Sequence, residues 1–218
     1  MASIRKIAQC IGLSGQISII RDFFGYWTGL PKPLSLLTQV RLLQGKHIHL
    51  NMIQVYPFSF EDFQKMDAGL QLMREAYAAV NFGVGRIKHY TINQGGYEII
   101  VDTAVAQDLM NSWSGPGDGI DVFLTLMIVG PSVGKSPTPG SCDKDSKNDS
   151  GCVIGVLDSG TDLGTAFAHE VGHYLGLEHE TKLPDNLMFP AAPNGGKLYG
   201  GQGGVMRIHC AAKSGCPG

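Results

Sequence analysis

The sequence predicts an α+β (α/β) domain built on a mixed, twisted sheet, with one helix carrying the functional residues and another backing it. Two observations carry this. Strand-like and helix-like segments interleave along the chain instead of falling into separate blocks. The densest apolar runs, such as Asp121-Val-Phe-Leu-Thr-Leu-Met-Ile-Val129, have strand length, whereas 59–80 repeats apolar residues at helical spacing.

In residues 1–45, Gly25, Gly29, Pro31 and Pro33 interrupt the apolar patches, so this part is expected to be a helical or irregular extension that packs on or leads into the domain. His47 to Tyr56 alternates, which predicts a strand with Ile48, Leu50 and Met52 or Ile53 turned inward. Ser59 to Val80 reads as a helix. Ser59 is its N-cap with Asp62 three positions on, and Phe63, Met66, Leu70, Met73 and Tyr77 form the apolar stripe. Gly83 and Gly85 are expected to stop it. Strands are then expected at 86–92, at 120–129 (buried on both faces) and at 153–157. Within 97–113, Ile99 to Val101 suits a strand and Ala104 to Met110 a helix. Residues 131–151, rich in Gly, Pro, Ser, Asp and Lys, read as a loop, and 200–213 as a final helix weakened by Gly203 and Gly204.

Composition excludes several classes. At 218 residues, 43% hydrophobic and 17% charged, the chain is long and apolar enough to bury a core, which excludes a disordered tail protein. A net charge of −2 with no basic block argues against nucleic-acid binding. No apolar run reaches the roughly 18 residues that would span a bilayer. Arg5, Lys6 and the following apolar stretch faintly resemble a signal peptide, but Gln9, Ser14, Gln16 and Ser18 interrupt it. The chain is read as a monomer.

Of five cysteines, Cys142 and Cys152 bracket one short loop, Cys210 and Cys216 another, and Cys10 stands alone. The pairs Cys142–Cys152 and Cys210–Cys216 are candidate disulfides, which favours a secreted or periplasmic location. The alternative is five free thiols in a cytosolic protein.

The chemistry is concentrated in residues 169–179, His-Glu-Val-Gly-His-Tyr-Leu-Gly-Leu-Glu-His. His169 and His173, four apart on a helix, project from one face so that both imidazoles reach one Zn²⁺. Glu170, beside the first ligand, is placed to act on a water without itself binding metal. Gly176 lets the helix end in a left-handed turn that brings His179 back as a third nitrogen. Three protein ligands without a fourth are the pattern of a catalytic zinc; a structural site would close with another ligand. With 7 His, 6 Glu and 30 Gly in 218 residues, the five fixed positions would coincide in roughly three of 100,000 such chains.

This stretch resembles the extended zinc signature of the metzincin metallopeptidases, H-E-x-x-H-x-x-G-x-x-H. Asn186-Leu187-Met188-Phe189-Pro190 resembles their Met-turn, and the short gap from His179 to Met188 is similar to that of the matrixins. The resemblance implies a metzincin-type zincin catalytic domain over 46–218, with an N-terminal subdomain to about 176 and a small C-terminal subdomain over 177–218. It implies a zinc endopeptidase acting on a protein or peptide substrate, with Glu170 as general base and Met188 beneath the histidines. Residues 191–199 would then wall the primary specificity pocket. Pro190 stands where astacins and serralysins carry a zinc-binding tyrosine.

Two alternatives are a zinc protease of narrow specificity acting on one partner protein, such as a toxin or effector, and a non-catalytic module holding structural zinc. Asp143, Asp145 and Asp149 offer a weaker Ca²⁺ site, but Lys147 interrupts any EF-hand order and a solvated loop is the better reading. His47, His49, His89 and His209 have no ligand spacing and read as core or surface residues.

Overall fold

The computed structural model describes residues 36–92, 95–144, 150–156, 160–190 and 195–215. Thirteen elements follow in order among them: α1 (Leu36–Gln44), β1 (Lys46–Gln54), α2 (Phe60–Ala78), β2 (Phe82–Thr91), β3 (Ile99–Ile100), α3 (Thr103–Ser112), β4 (Ile120–Thr125), β5 (Met127–Ile128), β6 (Gly134–Lys135), β7 (Gly151–Gly155), α4 (Gly160–Tyr174), α5 (Gly200–Ile208) and β8 (Lys213–Ser214).

The main sheet runs β2-β1-β4-β7-β6, with β8 added to β1. The pairs β2·β1, β1·β4 and β4·β7 are parallel, whereas β6 lies antiparallel to β7, with Gly134 opposite Ile154 and Lys135 opposite Val153. Helices α2 and α4 cover one face. Met66, Met73, Tyr77, Phe82, Val122, Ile154, Phe167 and Val171 join there in one apolar cluster. Helix α3 and the small parallel sheet β3·β5 cover the other face, where Ala106 and Leu109 pack against Phe123 and Val153. Each large apolar side chain buried here contributes roughly 1.5–3 kcal/mol.

Helix α2 begins as the sequence indicates. Ser59 Oγ accepts the Asp62 N–H (3.2 Å), and Asp62 Oδ2 accepts the Ser59 N–H (2.9 Å). It ends at Ala78, short of the expected Val80, and Asn81, whose φ is 56°, turns the chain before Gly83 is reached. Gly83 and Gly85 lie inside β2 instead. The 120–129 segment is divided, with β4 in the main sheet and β5 in the small one. Within 131–151, read as a loop, β6 forms the sheet's edge, so β7 is an inner strand.

Strand β1 departs from simple alternation, because parallel strands flank it and helices cover both faces. His47, His49 and Asn51 are therefore buried along with Ile48, Leu50 and Met52. The polar residues bond internally. Asp121 on β4 accepts from Asn51 Nδ2 (2.8 Å) and Ser114 Oγ (2.8 Å), and Lys144 Nζ binds it at 2.8 Å while also donating to the Gly115 and Gly119 carbonyls. Lys144 thus pins the loop before β7 to the sheet.

The disulfide expectations need correction. Cys142 pairs with Cys210, Cα atoms 6.0 Å apart and 68 positions distant in sequence, because the chain after α5 runs back beside the loop before β7. Cys152 is a free, fully buried thiol on β7, within 3.4 Å of Ser136 Oγ and 3.7 Å of the Glu170 carbonyl, so no bridge to Cys142 forms. Burial pushes its thiol pKa far up. With Cys210 in another bridge, the pair Cys210–Cys216 is excluded; Cys216, Cys10, Asp145 and Asp149 lie outside the described residues. Asp143 is exposed. No described helix is long and apolar enough to cross a membrane.

Candidate metal centre

Helix α4 supplies the first two histidines, and α2 sets its height over the sheet. The helices touch glycine to glycine: a Cβ on Gly69 would lie 3.1 Å from the Gly164 nitrogen, and one on Gly164 would lie 2.9 Å from the Gly69 carbonyl oxygen. Tyr77, fully buried on α2, donates its hydroxyl to the Ala168 carbonyl at 2.8 Å, one residue before His169.

Gly176 ends the helix as its position in the sequence foretells. Its φ is +90°, its N–H reaches the His173 carbonyl (2.8 Å), and the Leu177 N–H reaches the Gly172 carbonyl (3.0 Å). This pair of bonds is a Schellman stop. It reverses the chain so that His179 returns beside α4. His173 Nε2 lies 3.0 Å from His169 Nε2 and 3.2 Å from His179 Nε2. All three donor atoms fall within 4.8 Å of one another.

The other ring nitrogens explain this orientation. His169 Nδ1 is 2.8 Å from the Leu187 carbonyl and His173 Nδ1 is 2.7 Å from the Leu177 carbonyl. A carbonyl can only accept, so each Nδ1 carries the proton and each Nε2 keeps a lone pair. Burial, reinforced by the neighbouring rings, holds His169 down at about 4, and burial likewise lowers His173. Both imidazoles are therefore neutral near pH 7, the form that binds a metal. His179 is the exposed member of the three.

Glu170, on the next position of α4, is 5% exposed, and its Oε2 has no hydrogen-bond partner among the described residues. Burial raises its carboxyl to about 8, with a small opposing pull from Lys135. Such an orphaned buried carboxyl beside three converging nitrogens fits a group that acts on a ligand of the site. Met188 is fully buried, and a Cβ on Gly172 would lie 2.9 Å from its sulfur, so it packs against α4 between the two helical histidines.

Three contributors were not legible in the sequence. Asn186 Oδ1 accepts the Met188 N–H (2.7 Å), shaping the turn that presents the Leu187 carbonyl to His169. Gln202 on α5 exchanges hydrogen bonds with the Asn186 amide at 2.9 and 3.1 Å. Gly134 on β6 abuts Glu170. Only the Asx-turn spacing of Asn186 and Met188 offered a signal. Within 191–199, Tyr199 and Lys197 both bond Asp185, and residues 191–194 lie outside the described residues. Another group of donors, Cys142, His209 and Cys210, has its two sulfurs in the disulfide.

The family model for matrixins matches residues 48–197, or 150 of the 218 positions, and takes in the whole histidine motif. The chain belongs to the matrixin family. The matrixins are metallopeptidases whose cofactor is zinc, and the residues here fit that ion by donor type and by the protonation their hydrogen bonds impose. Solved structures agree on the fold of this matrixin. Metalloproteinase-II from Bacteroides fragilis aligns with a TM-score of 0.56 at 14% identity, over 77% of this chain and 54% of that one. The matrixin thus spans about half the length of that protein. Archaemetzincin from Methanopyrus kandleri aligns with a TM-score of 0.53 at 15% identity, over 75% of this chain and 95% of that one. No curated protein matches it in sequence.

Proposed function

We propose that this matrixin is a zinc-dependent endopeptidase acting on extended polypeptides, with His169, His173 and His179 as zinc ligands and Glu170 as general base. The observation that carries this reading is the convergence of three Nε2 atoms, two of them deprotonated because their Nδ1 partners are carbonyls. A set of three nitrogens with no fourth protein donor among the described residues is the pattern of catalytic zinc.

When bound, the ion supplies a Lewis acid and lowers the pKa of a water to about 7. Glu170, whose buried carboxyl a cation held by the three nitrogens would keep ionised, would accept the proton of the attacking water and return it to the leaving amine. Its burial excludes bulk solvent from that exchange, and Oε2, unclaimed by the protein, is available for it. Among the described residues strand β6 has a partner on one side only, and a substrate strand would add to its other side. Met188 packs against α4 at Gly172 as the Met-turn residue. The catalytic domain is taken as 46–218, divided near 176, with 1–45 as an extension that packs on or leads into it. The Cys142–Cys210 bridge supports a secreted or periplasmic location.

Elemental analysis together with cleavage of a peptide library, with and without chelator, tests this. One zinc per chain and chelator-sensitive endoproteolysis are expected. Glu170→Gln should keep the zinc and lower kcat by about 10²–10⁴-fold. Wild-type turnover in that variant rules out Glu170 as the base.

A further inference from the structure

Gly134 occupies the edge strand at the point where β6 passes over α4. Alternation along β6 turns position 134 towards α4 and sends Lys135 the other way, where its Nζ donates to Thr103 Oγ1 (3.1 Å) at the start of α3. A Cβ on Gly134 would meet Glu170 almost atom on atom, 2.4 Å from Cγ and 2.6 Å from both Cδ and Oε1. Side-chain atoms never approach so closely, so any larger residue here must drive the Glu170 side chain from its place. The carboxyl has little else to hold it, since Oε2 lacks a hydrogen-bond partner.

We propose that Gly134 is the positioning residue for Glu170: the missing side chain forms the slot in which the carboxyl lies. The strand that receives the substrate backbone then also fixes the proton acceptor, so that both are referred to one rigid element. This rests on the reading of Glu170 as general base, and it assigns to the edge strand a role that backbone pairing with substrate does not require.

The test has two arms. The first uses metal-free protein and needs no activity: thermal melting of wild type, G134A, E170A and the double variant. The clash exists only when both side chains are present, so G134A should lower Tm by roughly 5 °C in the wild-type background and by under about 1 °C in the E170A background. Equal losses in the two backgrounds overturn the slot. If G134A alone does not fold, the double variant must, and failure of both overturns it as well. The second arm is kinetic. G134A should lower kcat about 10²-fold, with KM within about twofold of wild type and zinc content unchanged. An unchanged kcat overturns the positioning role. A wild-type chain that cleaves no peptide defeats the reading of Glu170 itself, and the melting arm still decides the slot.

Discussion

Two groups of histidines lie on the same domain and differ in what the backbone has done with them. His169 and His173 stand four apart on a helix, ring centroids 4.6 Å apart; His47 and His49 stand two apart on a strand, at 5.0 Å. Burial holds both His169 and His49 down at about 4, so desolvation alone does not separate them. The hydrogen-bond partners do. In the helical pair Nδ1 meets a carbonyl, which keeps the proton there and frees the Nε2 lone pairs. His49 Nδ1 instead accepts the Arg86 N–H at 3.0 Å, so its lone pair is spent on the sheet. The cations Arg86 and Lys213 also act on His49, opposing any further positive charge. Among the described residues no turn delivers a third ring to that pair, whereas Gly176 delivers His179. His47 Nδ1 also lies on a carbonyl, that of Gly45 at 3.4 Å, so the partner of the second nitrogen sets His49 apart from the ligands, and the converging third ring is what His47 lacks.

The sharpest way to break this contrast is to remove one imidazole from each group. His173→Ala should weaken zinc binding by more than the roughly 100-fold that loss of an outer hydrogen-bond partner brings, and abolish turnover with it. His49→Asn, which keeps an acceptor for the Arg86 N–H, should leave the zinc stoichiometry at the wild-type value. Equilibrium dialysis followed by elemental analysis reads both. Zinc retained in the first variant, or lost from the second, would erase the distinction.

A smaller effect follows from the disulfide, which braces the histidine helix rather than the strand pair. Beside Cys142, the Gly140 N–H donates to the Tyr174 carbonyl (2.8 Å), and the Tyr174 hydroxyl reaches the Ser141 carbonyl. The His209 ring, next to Cys210, lies 5.8 Å from that of Tyr174. A bridge between positions 68 apart restricts the unfolded chain by about 4 kcal/mol on the loop-entropy estimate. The double variant C142A/C210A should lose up to that stability in urea titrations. Hydrogen exchange should quicken at amides 172–177 before it does in β1. The reverse order would show that the bridge does not brace α4.

What could be read from the sequence was local. The cap of Ser59 and Asp62, the stripe on α2, the i,i+4 histidines and the left-handed Gly176 all concern atoms within about two turns of one another. Each reappears in the structure where the spacing puts it. What could not be read depends on neighbours far along the chain. Proximity in sequence pointed Cys142 to Cys152, but strand β7 buries Cys152, and Cys210 arrives only after α5 has formed. Strand β6 has two residues, too few for any periodicity, and its contact with Glu170 joins positions 36 apart, from Gly134 to Glu170. The alternation of β1 was read as a half-buried strand. Parallel strands flank it and helices cover both of its faces, where Asp121 and the Gly119 carbonyl accept from Asn51 and the Arg86 N–H donates to His49.

The strand pair makes one prediction of its own, in the pH dependence of stability. His49 is 6% exposed and titrates at about 4 when folded, against 6.5 for an ordinary histidine. The folded pKa is the lower, so the unfolded chain binds the extra proton. Stability on this account is complete above pH 6.5 and is lost as pH falls towards 4. By pH 4.5 the loss comes to about 2.5 kcal/mol from this side chain. His169 and the carboxylates contribute their own slopes, so the measurement is a difference: urea unfolding of metal-free wild type and His49→Asn at pH 7.5 and 4.5. The variant should lose about 2.5 kcal/mol less than wild type on acidification, because a carboxamide in place of the imidazole binds no proton in this range. Equal losses in both proteins would mean that His49 is protonated within the fold, and that its nitrogen is not committed to the Arg86 N–H.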